Sequence, residues 1–258
     1  VVLGYDTTIP VTLEDMIHHT RAVVRGAPGT FVVADMPFAT YRLGPEGTLR
    51  NAARLMREGG AHAVKMEGGA DLCEEIARLT AAGIPVLGHL GLTPQSVHQI
   101  GGYRVQGRTR EEAEKLIADA RALERAGVFG IVLELVTEET AREVTRAVEV
   151  PTIGIGSGRG CDGQVLVFHD MLGYGSGIRE KRFVKAYADI GSQIRDAIGR
   201  YAEDVRTRAF PEERHAFRLD DAPRGAAESR ETASPYGGGP ADAVTGAAAA
   251  VRNGGARG

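Results

Sequence analysis

The 258-residue chain has only two cysteines, Cys73 and Cys161, and they do not form a CxxC pair. Their scarcity excludes a disulfide framework and points to a reduced, cytoplasmic setting. No run approaches the roughly 18 consecutive apolar residues of a membrane span. An excess of charge of either sign is also missing: 31 basic and 34 acidic residues are interspersed, for a formal net charge of −3. Without a long-range field, nucleic acid and anionic membrane are not expected as partners, which leaves small molecules and further copies of the chain. The absence of a GxxxxGK[ST] string removes the P-loop reading. No signal peptide is visible, and the chain opens on Val1 rather than Met, beside a Gly4-Tyr5-Asp6 turn, as though its start were cut.

What is present suits an α/β enzyme. With 43% hydrophobic residues the chain can bury a sizeable core, and its length fits one domain of the barrel size class. Strand-like and helix-like segments alternate, the rhythm of βα units and a parallel sheet. Strands are expected at 31–35, 63–67, 84–90, 130–134, 150–156 and 164–169, most as near-continuous Val, Ile and Leu runs covered on both faces. Helices are expected at roughly 12–25, 45–58, 70–82, 109–126, 137–148 and 180–206. Thr109 and Glu112 have capping-box spacing, and Gly26, Gly59, Gly83 and Gly127 fall where left-handed C-caps are needed.

Four of the apolar runs stop at residues able to do acid, base or metal chemistry: FVVAD at Asp35, AVKME at Lys65 and Glu67, PVLGH at His89 and IVLE at Glu134. In a (β/α)8 barrel the catalytic groups stand at the carboxyl ends of parallel strands, so this pattern is what such a site looks like in sequence. Six strands fall short of eight, and the shortfall lies at the amino end, where the first two βα units are expected to be missing. Residues 1–218 are expected to form the truncated barrel domain, and 219–258, rich in Ala, Gly and Pro, a disordered tail.

Asp35 and Glu67, on adjacent strand ends, make a natural site for a hard divalent cation, since Mg²⁺ typically takes one or two protein carboxylates and fills its shell with water and substrate oxygens. The bland alternative is a pair of salt-bridged acids. Lys65 shares a strand face with Glu67 through the two-residue period. A buried ammonium is costly unless used, so it binds an anionic substrate, pairs with Glu67 or Asp35, or serves as a Schiff-base amine. His89 stands in a strand-end loop, as a functional group or a hydrogen-bonded structural one. Glu134 closes a wholly apolar run, where burial raises a carboxyl pKa and suits it to proton transfer; otherwise it caps the helix starting near Thr137. The glycine-rich loop 154–163 fits a phosphate cradle, close backbone packing, or a pterin or sugar.

The strings HLGLTPQSV and GGYRVQGR (89–97 and 101–108), with DTTIPVTLEDMIHHT, ADMPF, VKMEGG, VLELV, GIGSG, DGQVLVFHDMLG and FPEERHAF, resemble the ketopantoate hydroxymethyltransferase family from about Gly4 through Phe217. The resemblance implies a TIM barrel of the phosphoenolpyruvate/pyruvate type, a homo-oligomer and a Mg²⁺-dependent transfer. In that transfer, 5,10-methylenetetrahydrofolate gives a one-carbon unit to 3-methyl-2-oxobutanoate, forming 2-dehydropantoate for pantothenate and coenzyme A. By motif, Asp35 and Glu67 correspond to metal ligands, with Asp35 also touching the oxoacid. Lys65 and His89 correspond to oxoacid contacts and Glu134 to the proton acceptor. The family also carries a strand ending in Gly-Asp-Ser that supplies a metal-binding aspartate and an oxoacid-binding serine; this sequence has no counterpart, and Asp6 falls downstream of its place. Competing expectations are a carbon–carbon lyase or mutase of the same superfamily, working without folate, and an inactive remnant.

Overall fold

A computed structural model describes residues 2–174 and 181–218. The chain divides into one unit through Gly199 and a second from Arg200 onward. The first holds a six-stranded parallel sheet in strictly sequential order: β1 (Val33–Asp35), β2 (Ala63–Glu67), β3 (Val86–Gly91), β4 (Gly130–Glu134), β5 (Thr152–Ile155) and β6 (Gly163–Gln164). Sequential order has a steric consequence. Right-handed crossovers that always step to the next strand put every connecting helix on the same side, whereas a doubly wound sheet must reverse its order to cover both faces.

The covering helices are α1 (Leu13–Gly26), α2 (Pro45–Arg57), α3 (Cys73–Ala81), α5 (Arg110–Ala126) and α6 (Glu138–Ala147), each packed on the next along the sheet. One face of the strands, with Val64, Met66, Val86, Leu90, Ile131 and Leu133, is buried against them. The alternate residues turn to the other face, where Val33 and Asp35 of β1 line one cavity together with Ile153 and Ile155 of β5. In a flat sheet these strands would stand about 19 Å apart, so the sheet is curled into a half-barrel with its inner face open to this cavity.

Local chemistry accounts for the helix starts. The Thr109 hydroxyl accepts from the Glu112 N–H at 3.2 Å, and the Glu112 carboxylate accepts from Thr109 N–H, the expected capping box. An equivalent box joins Thr12 and Asp15 at α1. α2 opens with Pro45, whose missing N–H costs nothing in the first turn.

Several boundaries differ from the expected ones. The segment 70–82 is a 3₁₀ turn (Ala70–Leu72) followed by α3. Of the four expected left-handed glycines, Gly83 and Gly127 adopt positive φ, while Gly26 is the last residue of α1 and the turn after α2 is taken by Gly60. Gly59 instead serves close packing: a Cβ there would lie 2.4 Å from the Leu55 carbonyl oxygen. The strand expected at 164–169 ends at Gln164, because β6 has a paired neighbour on one side only among the described residues. Its apolar continuation instead lines the cavity and turns into the short helix α7 (Phe168–Met171). Another short helix, α4 (Val97–Ile100), lies where no helix was expected. The expected helix 180–206 is α8 (Ile190–Thr207), with Lys181–Asp189 in non-helical conformation and residue 180 outside the described set. The second unit contains the end of α8, a Tyr201–Phe210 ring contact and a 3₁₀ turn at Glu213–His215. The expected tail, 219–258, lies outside the described residues.

Candidate active site

The inner face is polar at the carboxyl ends of its strands and apolar elsewhere. Parallel register sets Asp35 beside Lys65, Glu67 beside His89, and Glu134 beside Gly91. Because side chains alternate along a strand, Asp35, Lys65, Glu67, His89 and Glu134 all project to the inner face, into a cavity of about 360 Å³. Val33, Leu87, Val132, Ile153 and Ile155 form its apolar wall. The five residues singled out in the sequence therefore converge on one site.

Lys65 is the centre of the polar group. Its Nζ lies 2.9 Å from Asp35 Oδ1, 3.7 Å from Glu67 Oε1 and 3.0 Å from His89 Nδ1. Burial pulls the lysine pKa down, but the carboxylates of Asp35 and Glu67 outweigh it and hold the amine above its ordinary value, hence protonated. A protonated amine is no nucleophile, so this environment favours a binding role for Lys65 over a Schiff-base one, and pairing with both carboxylates is seen directly.

An ammonium can only donate, so His89 Nδ1 accepts from Lys65. Burial, reinforced by the Lys65 charge, pushes the His89 pKa down to about 3. The ring is therefore neutral with its proton on Nε2, which faces Glu134 Oε2 at 3.3 Å. That contact misses hydrogen-bond geometry, leaving His89 Nε2 a buried donor without a partner. Asp35 Oδ1 is engaged by the Lys65 ammonium. The unpartnered His89 Nε2 on the cavity wall marks a place where a ligand completes the site.

Burial raises Glu67 and Glu134 to about 7 each, with Lys65 opposing the shift in both cases. Glu134 does not cap the following helix. Thr137 takes the N-cap position of α6, with its hydroxyl donating to Gly107 O, and the Glu134 side chain faces His89. Gly91 makes the approach of β3 to β4 possible: its φ is +91°, and a Cβ would lie 2.3 Å from the Glu134 carbonyl oxygen. Leu135, directly after Glu134, holds a left-handed φ of +48°, a strained conformation for a branched side chain that turns the chain out of β4.

The donor set fits a hard cation. Asp35, Glu67 and Glu134 face the single ammonium of Lys65, so negative charge is in excess, and carboxylate oxygens are hard ligands. Among the described residues no group of three or more His, Cys, Asp or Glu side chains forms a metal cage. A cation here would rest on two carboxylates.

Two parts of the site escaped the sequence reading. Gln95 and Tyr41 form a buried network behind Glu67, and Lys181, paired to Asp170 at 2.7 Å, acts electrostatically on Glu134. Gln95 lies within the quoted GLTPQS string, but nothing in that string tells which loop residue turns inward. The glycine-rich loop 154–163 is built for packing. A Cβ on Gly158 would collide with Glu138 of α6, and the buried Ser157 hydroxyl donates to Leu133 O at 2.7 Å while accepting from Val136 N–H at 3.1 Å.

A family profile described as ketopantoate hydroxymethyltransferase matches residues 1–213. Curated relatives named 3-methyl-2-oxobutanoate hydroxymethyltransferase include one from Thermoanaerobacter sp. (strain X514), 56% identical over 220 residues, covering 85% of this chain and 80% of that protein. Another, from Geobacillus sp. (strain WCH70), is 56% identical over 221 residues, covering 86% of this chain and 79% of the relative. A third, from Listeria innocua serovar 6a, is 55% identical over 219 residues, covering 85% and 79%.

Proposed function

Since the chain belongs to the ketopantoate hydroxymethyltransferase family, we propose that it catalyses hydroxymethyl transfer to 3-methyl-2-oxobutanoate, with 5,10-methylenetetrahydrofolate as donor and 2-dehydropantoate as product. The observation that carries this reading is Glu134: a carboxylate whose pKa burial lifts to about 7, on the same cavity as the Lys65 ammonium. A base poised near neutral pH beside a fixed positive charge suits removal of a proton next to a ketone.

Glu134 takes the C3 proton of the oxoacid, and the resulting carbon nucleophile bonds to the one-carbon unit, whose two bonds to the folate nitrogens break with uptake of one water, so that water supplies the hydroxyl oxygen and tetrahydrofolate leaves. Lys65 binds the oxoacid through its negative oxygens and stabilises the charge that develops when the proton leaves. His89, with its unpartnered Nε2–H, donates to a substrate oxygen or to Glu134 as the carboxylate swings in. Leu87, Val132, Ile153 and Ile155 give the branched alkyl group an apolar wall and keep water from the base. Asp35 and Glu67 would hold Mg²⁺, whose Lewis acidity would supply further positive charge beside the oxoacid oxygens.

We read the six-stranded sheet as an arc of a (β/α)8 barrel of the phosphoenolpyruvate/pyruvate type, spanning 1–218, because sequential order and a one-sided helical cover are what barrel closure requires. No helix among the described residues is long and apolar enough to cross a membrane. Ile194, Ile198, Tyr201 and Val205 are exposed on α8 at helical spacing, which supports a homo-oligomer.

The test is replacement of the C3 proton of 3-methyl-2-oxobutanoate by deuterium, followed by NMR in D₂O with Mg²⁺, and then product formation on addition of the folate. Mg²⁺-dependent exchange and folate-dependent product are expected. Conversion of the oxoacid to a different product without folate would instead favour a lyase or mutase, and a folded protein giving neither exchange nor product would overturn the reading.

A further inference from the structure

Glu67 has a flexible side chain and a deeply buried carboxylate, so its orientation needs an external hold. Its two oxygens have different surroundings. Oε1 faces Lys65 at 3.7 Å, while Oε2 accepts the backbone N–H of Gln95 at 2.9 Å. That N–H lies in the first turn of the short 3₁₀ segment Pro94–Ser96, where backbone donors have no partner within the helix.

The Gln95 side chain fixes where this N–H points. Its Nε2 donates to Met36 O at 2.8 Å, and its Oε1 accepts from the Tyr41 hydroxyl at 2.8 Å. Met36 follows the candidate ligand Asp35 directly, and Tyr41 O in turn accepts from the buried Thr48 hydroxyl of α2 at 2.9 Å. Gln95, Tyr41, Met36 and Glu67 are all buried, at 6%, 3%, 0% and 3% exposure. One residue therefore ties together the loops after β1 and β3 through its side-chain amide and the end of β2 through its backbone N–H. A fully satisfied buried polar network of this kind specifies one arrangement, because each lost partner leaves another group unpaired.

We propose that Gln95, held by Tyr41, is the positioning residue of Glu67: it pins Oε2 and leaves Oε1 for a divalent cation. This rests on the reading of Asp35 and Glu67 as a cation site. Glutamine is required because both ends of its amide are used. Methionine fills a similar shape without either bond, and glutamate keeps an acceptor but loses the donor to Met36 O and adds a negative charge beside Glu67. Tyr41→Phe removes a single hydroxyl and keeps the ring.

The experiment titrates MgCl₂ calorimetrically into the wild type, Gln95→Met, Tyr41→Phe and Glu67→Gln, with thermal midpoints and oxoacid KM and kcat measured alongside. Loss of one buried partner is expected to weaken Mg²⁺ binding about tenfold in Gln95→Met and about threefold in Tyr41→Phe. A purely structural role would lower the midpoint and leave the Mg²⁺ affinity of the folded protein unchanged, overturning the proposal. If Glu67→Gln weakens Mg²⁺ binding while both other variants bind like wild type, positioning by Gln95 is wrong and the cation reading stands. If Glu67→Gln itself binds Mg²⁺ normally, the cation reading fails and takes the proposal with it. Should Gln95→Met not fold, Tyr41→Phe decides by the same criterion.

Discussion

Lys65 and His89 meet Nζ to Nδ1 at 3.0 Å, and that contact decides which nitrogen of the histidine carries the proton. The ammonium has only hydrogens to give, so the imidazole proton is sent to Nε2, toward Glu134. A salt-bridge partner on β2 thereby sets the tautomer on β3 that Glu134, the proposed base on β4, meets.

Replacing the proposed base tests the last link. Glu134→Gln keeps shape and hydrogen-bonding capacity but cannot accept a proton, so C3 deuterium exchange should fall by about 10² to 10⁴-fold. Oxoacid and Mg²⁺ binding should remain largely intact. NMR exchange rates and calorimetric titration measure the two separately, and a variant that still exchanged at the wild-type rate would remove Glu134 as the base.

Exchange should rise with pH through about 7 and level off above it, because Glu134 acts only when deprotonated and burial has raised its pKa to that region. Lys65 opposes this rise, so Lys65→Met should move the inflection to higher pH. An inflection that stayed near 4.5, the ordinary glutamate value, would contradict a buried base.

The same shift has a consequence for stability. Glu134 binds its proton more tightly when folded, so its contribution is fully present below about 4.5 and is lost as pH rises through about 7. Urea denaturation at pH 5 and pH 8 should show a smaller decline across that window in Glu134→Gln than in the wild type.

Asp35→Asn removes one charge from the acidic cluster and one oxygen of the proposed ligand, so Mg²⁺ binding should weaken, by titration of the metal alone. Unchanged affinity would count against Asp35 as a ligand.

Thr109→Ala should cost about 1 kcal/mol, the usual loss of a capping box residue, with kinetics unaltered, since the α5 cap does not line the cavity. Gly91→Ala should do more, lowering both the thermal midpoint and exchange, because the added methyl meets the Glu134 carbonyl. If Gly91→Ala matched the wild type in both, the close approach of β3 to β4 would not matter for the base.

The site's main residues were legible because they interrupt a pattern. Asp35, Lys65, Glu67, His89 and Glu134 stand where apolar runs end, and the two-residue period by itself puts Lys65 and Glu67 on one strand face. Gln95 and Tyr41 carried no such signal: a glutamine in a polar loop and a tyrosine before Arg42 look like surface residues until the loops fold over one another. Element boundaries were readable at Thr109, where the capping chemistry is local, and unreadable at 164–169, where an apolar run lines a cavity instead of continuing a strand.

The sequence by itself determined the strand and helix alternation, the order of chemical groups along it and the family, because these depend on short-range periodicity and on strings of adjacent residues. Tertiary structure alone decided the curl that brings β1 and β5 to one cavity, the protonation of Lys65, the neutral Nε2–H form of His89 and the raised pKa values of Glu67 and Glu134. Each of these depends on desolvation and on charges a few ångströms away in space but tens of residues away in the chain, and neither quantity exists until the sheet has closed around them.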